Sequence, residues 1–367
     1  MKKNIYEKIG LKRVINASGR MTALGVSALS DEVGKAAVEG GQSYVVIDDL
    51  FIRSGEIISQ YTGAEASLVT SSASAGIAIS VAALIAKDNI KHIRSLPNSS
   101  GLKNEIIIPK GHIVGFGAPI ATMVRLGGGV PIEAGLVNAV TVADMEAEIN
   151  ENTAGMLYVK SHHTVQKGMI ALDAMIKLAH KHHLPIIVDA AAEEDLRRYI
   201  AMGADLVIYS GAKAFEATTS GFITGRKDLI HNAHLQYQGI GRPMKIGKEG
   251  IMGLLKALEI YNTRDEAAIV TKNHQDVAYL VQNLNQIKGL EVQEVQDEAG
   301  REIYRAQVKI TSGDAFVVDQ HLKEGNPSIH CRGHRINEGY ITLDTRPLVS
   351  NDLEVIVQRF KEIMKEV

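Results

Sequence analysis

Tryptophan is absent from this 367-residue chain, phenylalanine occurs 6 times and tyrosine 11 times. An aromatic belt at a membrane interface, or a base-stacking platform for nucleic acid, therefore has little to be built from. An excess of either charge is missing too. The 40 Lys and Arg against 42 Asp and Glu leave a net charge of −2, which gives no electrostatic reason to expect nucleic acid as a partner. A small anion needs only a local site and is not excluded. The single cysteine, Cys331, cannot make an internal disulfide or a multi-thiolate metal centre, and a reducing cytoplasm is the expected compartment. No apolar core of signal-peptide length follows the first eight residues, so secretion is not expected. The nearest approach to a membrane span is 66–86, and it carries Ser67, Thr70, Ser71, Ser72, Ser74 and Ser80. It reads as a short strand, a serine-rich turn and a buried helix, and no membrane partner is expected.

What is present is a soluble composition, 45% hydrophobic and 22% charged, of a size for one large domain and a smaller one. From about Tyr61 to Gly225, apolar runs alternate with helical patterns in the manner of βαβ units, which predicts an α/β domain with a mostly parallel sheet covered on both faces. The strand candidates are 105–108, 130–132, 155–159, 185–188, 205–209 and 221–224, with helix patterns at 143–150 and 172–182 among them. After Gly250 a long helix, 252–261, continues with interruption to 286. Strands follow at 290–295, 305–310, 328–331 and 340–343, and a helix closes the chain at 351–367. The expected division is therefore 1–250, an N-terminal arm and large domain, and 251–367, a linking helix and a small α+β domain.

Two of the large-domain strands end in chemistry. Leu184-Pro185-Ile186-Ile187-Val188 runs into Asp189, and Leu206-Val207-Ile208-Tyr209-Ser210-Gly211-Ala212 runs into Lys213. Such a pair suits pyridoxal 5'-phosphate: the lysine holds the cofactor as a Schiff base, and the carboxylate keeps its pyridine nitrogen protonated so that the ring acts as an electron sink. A plain lysine at a strand end, and an aspartate capping a helix that starts near Ala192, are the ordinary alternatives. Against the second, a carboxylate directly after four apolar residues is costly to bury without a cation. The cofactor phosphate needs a helix start rich in small residues, and Thr70-Ser71-Ser72-Ala73-Ser74-Ala75-Gly76 supplies one. Ser71, Ser72, Ser74 and Ser210 are the candidate polar contacts. No Walker pattern is present, and Gly115-Phe116-Gly117 lacks the third glycine of a dinucleotide fingerprint.

His112, in the turn Pro109-Lys110-Gly111-His112 after the 105–108 strand, could stack on the pyridine ring or be a surface turn histidine. His162-His163 suggests a metal, but adjacent side chains diverge and no third ligand has a recognisable spacing, so no metal is expected. For an anionic substrate the candidates are Arg242 and Lys245, before the long helix, and Arg346 at the end of a small-domain strand. Surface salt bridging is the alternative for all three.

Taken in order, Val14-Ile15-Asn16-Ala17-Ser18-Gly19, Tyr61-Thr62-Gly63-Ala64-Glu65-Ala66, Lys110-Gly111-His112, the Asp189 strand, Ser210-Gly211-Ala212-Lys213 and Leu343-Asp344-Thr345-Arg346 resemble the bacterial selenocysteine synthase family. That family has the fold-type I, aspartate-aminotransferase-like architecture, and the resemblance spans nearly the whole chain. Two departures stand out. Selenocysteine synthase itself carries an extra N-terminal domain for its transfer RNA, whereas the family motif here begins near residue 14, and it has an acidic residue where this chain has Ala212. Both turn the expectation away from tRNA and towards the short members that are ammonia lyases. The resemblance then implies elimination of water and ammonia from a phosphorylated 2-amino sugar acid, D-glucosaminate 6-phosphate. It implies Lys213 as the base, Arg346 on the substrate carboxylate, Arg242 and Lys245 on its phosphate, and a homodimer or higher homo-oligomer.

Overall fold

The computed structural model describes residues 4–161, 163–297, 302–349 and 351–366. Its strands, in chain order, are β1 (Val14–Ala17), β2 (Ala66–Thr70), β3 (Glu105–Pro109), β4 (Val130–Ala134), β5 (Thr153–Val159), β6 (Ile186–Asp189), β7 (Leu206–Ser210), β8 (Gly221–Gly225), β9 (Leu290–Gln296), β10 (Tyr304–Ile310), β11 (Ser328–Cys331) and β12 (Tyr340–Leu343). The chain divides into two compact units, one spanning Leu29–Thr263 and the other joining Met1–Ala28 to Arg264–Val367.

The larger unit is built on a seven-stranded sheet of order β2-β8-β7-β6-β5-β3-β4, in which β8 alone runs antiparallel to its neighbours. Ile106 to Ile108, Ile186 to Val188 and Leu206 to Ile208 are each wholly buried, as strands covered on both faces must be. This explains why these strands read as unbroken apolar runs rather than as alternating ones. The helix Ala73–Ala86 is apolar all round because almost every residue in it is buried. Its Gly76 lies so close to the sheet that a Cβ there would come 2.9 Å from Ile208 Cγ2. Helices Asp31–Gln42 and Ile47–Thr62 occupy the stretch before the strand and helix alternation begins.

The smaller unit contains an antiparallel sheet β12-β10-β9 and a parallel pair, β1 with β11. Its own core includes Ile15, Val277, Leu280, Val308, Ile341 and Phe360. The boundary differs from the expected 250/251 for two physical reasons. The helix Lys248–Thr263 packs on Asp31–Gln42, where a Cβ on Gly40 would lie 2.7 Å from Met252 Cγ, and so it belongs to the larger unit. The N-terminal segment is tied by backbone pairing to β11, and so it belongs to the smaller one. Among the described residues no helix is long and apolar enough to cross a membrane.

Candidate active site

The parallel strands of the larger unit bring their carboxyl ends to one edge of the sheet, and the candidate residues lie along it. Asp189 is the last residue of β6 and pairs in register with Ile208 of the neighbouring β7. Lys213 follows β7 by three residues, half-buried on a loop closed by backbone bonds from Gly211 N–H to Ser220 O and from Ala217 N–H to Gly211 O, both 2.9 Å. A Cβ at 211 would stand 2.2 Å from Ser220 Oγ and 2.8 Å from Leu254 Cδ1, so a larger residue there would displace both side chains. The loop turns back at Glu216, which has a φ of 55°.

Asp189 is 6% exposed and accepts one bond, from Ala191 N–H at 3.1 Å. Burial pushes its carboxyl up to about 6, against the pull of that N–H and of the Lys213 charge. No helix begins near Ala192: the next one is Arg198–Ala201, so the capping alternative falls away. What remains is a buried carboxylate with spare acceptor capacity, facing a nearby lysine.

The strand β2 leads into the third element of the site. Ser72 caps the Ala73–Ala86 helix, its Oγ accepting from Ala75 N–H at 3.0 Å, while Thr70 Oγ1 donates to Ser72 O at 2.9 Å. Ser71 and Ser74 lie half-buried beside it, and Ser210 ends β7 in register with Gly221. A Cβ on Gly221 would stand 2.6 Å from the Ser72 carbonyl carbon and 2.7 Å from Ala73 N. This start of a fourteen-residue helix offers N–H donors and the positive end of its dipole to an anion. Pyridoxal phosphate fits this set: the helix start suits its phosphate, Lys213 its aldehyde carbon and the buried Asp189 carboxylate its protonated ring nitrogen.

His112 ends a short 3-10 turn and is 2% exposed, so it is not a surface histidine. Its ring meets Tyr158 edge-on with centroids 4.5 Å apart, and its Nδ1 accepts from Val159 N–H at 3.3 Å. Burial first, and the Lys160 charge second, depress its pKa to about 4, so the ring is neutral at pH 7 with its proton on Nε2. Val159 pairs with Asp189, which puts this histidine's backbone anchor one strand away from that carboxylate.

Arg242 and Lys245 are both exposed, on and just after the 3-10 turn Arg242–Met244 of the larger unit. Arg346 belongs to the smaller unit. The expectation that it grips a substrate carboxylate meets a guanidinium already using Nε and Nη2 on Asp344, at 2.9 and 2.7 Å. Asp344 also accepts from Arg305 Nε at 3.0 Å, and these two arginines hold its carboxyl down at about 2 despite burial. His162 of the adjacent histidine pair lies outside the described residues. Among those described, no group of three or more His, Cys, Asp and Glu could hold a metal ion.

One functional candidate was not anticipated. Lys160 follows β5 immediately, its backbone N–H donating to Asp189 O at 2.8 Å, and it lines a cavity of about 220 Å³ with His112 and Tyr158. The signal that marks Asp189 and Lys213, a charged residue just after an apolar strand, marks Lys160 as well.

Comparison with known proteins gives the family and the fold. Residues 14–323 match the family described as SelA, L-seryl-tRNA selenium transferase. The chain is 47% identical to D-glucosaminate-6-phosphate ammonia lyase of Salmonella typhimurium (strain 14028s / SGSC 2262), over 99% of this chain and 98% of that one. It is 36% identical to a 5'-C-glycyluridine monooxygenase-decarboxylase from Streptomyces sp, covering 98% and 92% of the two chains. Among solved structures, that of a D-glucosaminate-6-phosphate ammonia-lyase superposes with a TM-score of 0.96 at 46% identity, covering 100% of this chain and 99% of the other. The fold is the aspartate-aminotransferase-like one.

Proposed function

The chain belongs to the L-seryl-tRNA selenium transferase (SelA) family, and from that premise we propose that it is a pyridoxal phosphate-dependent lyase converting D-glucosaminate 6-phosphate to 2-keto-3-deoxy-6-phosphogluconate and ammonia. The observation that carries the reading is the match to an ammonia lyase along essentially the full length of both chains. The site residues support it chemically.

When bound, pyridoxal phosphate supplies a sink for the electron pair released as the Cα–H bond breaks. Asp189 holds the positive charge of the ring nitrogen, and the cost of burying its carboxylate alone is the physical support for that role. Lys213 would anchor the cofactor, and its Nζ is the base that would accept the Cα proton of the bound substrate. The same Nζ then returns a proton to the β-hydroxyl, which leaves as water. Addition of water at C2 releases ammonia, so the water lost in the first step is regained in the second. The Ala73–Ala86 helix start and Ser72 would hold the cofactor phosphate, and the buried His112 would lie beside the cofactor ring.

The reading carries a homodimer or higher homo-oligomer with it, and a cytoplasmic setting. A phosphorylated substrate does not cross a bilayer unaided, because charge is costly there. The test is simultaneous measurement of ammonia and 2-keto acid from D-glucosaminate 6-phosphate, using wild type and Lys213→Ala. Equimolar products from wild type and a loss of at least about a thousandfold in the variant are expected. Absence of product from wild type would overturn the function, and full activity in the variant would overturn the role of Lys213.

A further inference from the structure

The cavity beside the candidate active site has a chemical bias that the steps above do not use. Its lining residues include His112, Tyr158, Lys160, Thr164 and Gln166, and none is an aspartate or glutamate. Lys160 has no ion-pair partner among the described residues, although it stands on a wall that water alone would have to solvate. Two further residues with donors line the same space. His112 has its Nδ1 engaged by Val159 N–H, which leaves the proton on Nε2, and the Tyr158 hydroxyl stays protonated, because burial first, and the charge of Asp173 outside the lining second, raise its pKa. The far wall is fixed: Gln166 Nε2 donates to Ser161 O and Thr164 O, both at 2.9 Å, and Val165 N–H donates to Gly111 O at 3.1 Å. A cavity with a lysine and no carboxylate among its lining residues suits an anion, and at about 220 Å³ it has room for roughly seven waters at ~30 Å³ each.

The strand order says which anion. From β2 to β5 the sheet edge presents the helix start after β2, then Lys213 after β7, Asp189 on β6 and Lys160 after β5. Lys160 and the phosphate-binding helix start are therefore on opposite sides of Asp189 and Lys213, so the cofactor phosphate does not account for the cavity. The strands bearing Lys213 and Lys160 are two spacings apart, roughly 10 Å at about 4.8 Å each. An elongated substrate that reacts at one end and carries its charge at the other matches that span. A lysine serves a phosphate as a point charge, and the further donors can share its several oxygens.

We propose that Lys160, with His112 and Tyr158, binds the phosphate ester of the substrate and sets the preference for phosphorylated over unphosphorylated 2-amino sugar acids. This takes the phosphate from the exposed Arg242 and Lys245 to a partly open cavity beside Asp189. The proposal rests on the lyase reading, and the experiment has two arms that separate them. In the first, wild type, Lys160→Gln and Lys160→Arg are assayed with D-glucosaminate 6-phosphate and with D-glucosaminate. The ratio of kcat/KM between the two substrates falls at least tenfold in Lys160→Gln, mainly through KM, and recovers in part in Lys160→Arg. An unchanged ratio overturns the proposal. In the second arm, calorimetry of the cofactor-saturated protein with inorganic phosphate detects binding in wild type and its loss in Lys160→Gln. Equal binding in both, or none in wild type, overturns the anion site. Activity on neither substrate would sink the lyase reading, while the phosphate arm still decides the site.

Discussion

Asp189 shows how a single residue's environment makes a measurable claim. Its folded-state pKa of about 6 lies above the ordinary 3.8, so its contribution to stability is complete below about pH 4 and is lost as pH rises through 6. The full loss is on the order of 3 kcal/mol at ~1.4 kcal/mol per unit, with about half of it between pH 5 and 8. Asp189→Asn removes the titration. Urea unfolding of cofactor-free wild type and variant should therefore show wild type losing roughly 1.5 kcal/mol relative to the variant between pH 5 and pH 8. Adding cofactor at pH 8 should stabilise wild type and do much less for the variant. A pH-independent difference would mean that the carboxylate is not buried as a charge. Asp189 and Lys213 were legible because each follows an uninterrupted apolar strand. Lys160 follows one too, but a lone lysine there looks like a surface group until folding sets it, half-buried, in a cavity with no carboxylate among its lining residues. What sequence could not show for Arg346 is its local partner: Asp344, two residues earlier, accepts from Nε and Nη2 of its guanidinium.

At the scale of elements, most strands could be read to within a residue or two, because a strand buried on both faces writes an unbroken apolar run into the chain. The stretch 66–86 resolved as foreseen, into β2, a serine turn and the helix Ala73–Ala86. Helices Asp31–Gln42 and Ile47–Thr62 carry many exposed polar residues on one side and gave a weaker pattern. The contact of Gly221 with the start of the Ala73–Ala86 helix could not be read from sequence, since it joins residues far apart in the chain. It makes a prediction about the phosphate cradle. Gly221→Ala forces a Cβ onto the backbone of Ser72 and Ala73, where nothing flexible can give way, and should cost about 1–3 kcal/mol. Because the displaced atoms include the N–H donors of the cradle, cofactor affinity should fall as well. Ser72→Ala removes one cap bond, worth about 1 kcal/mol. Thermal unfolding with and without cofactor checks both variants. Equal stabilisation by cofactor in Gly221→Ala and wild type would separate the helix start from cofactor binding.

At the scale of the whole molecule, the two units could not be delimited from the sequence, because one of them is discontinuous. A reading along the chain finds where patterns change, near Gly250, but not that β1 pairs with β11 from the other end. Nor does it reveal which apolar residues folding leaves outside. Tyr44, Val45 and Val46, between two helices of the larger unit, are all exposed, and so are Ile47 and Ile52 on the helix that follows. A contiguous apolar patch on a protein surface is the kind of feature that a partner covers, and the proposed homo-oligomer supplies one in a second copy of the chain. Val46 offers a clean probe, because it is the N-cap of the Ile47–Thr62 helix and makes no side-chain cap bond there. Aspartate is a favoured residue at that position, so Val46→Asp should leave the fold of the single chain intact or slightly steadier while placing a charge in the patch. Light scattering should then show wild type at a multiple of the chain mass and Val46→Asp shifted towards the mass of one chain. An unshifted variant would locate the contact elsewhere, and a monomeric wild type would remove the oligomer from the proposal altogether.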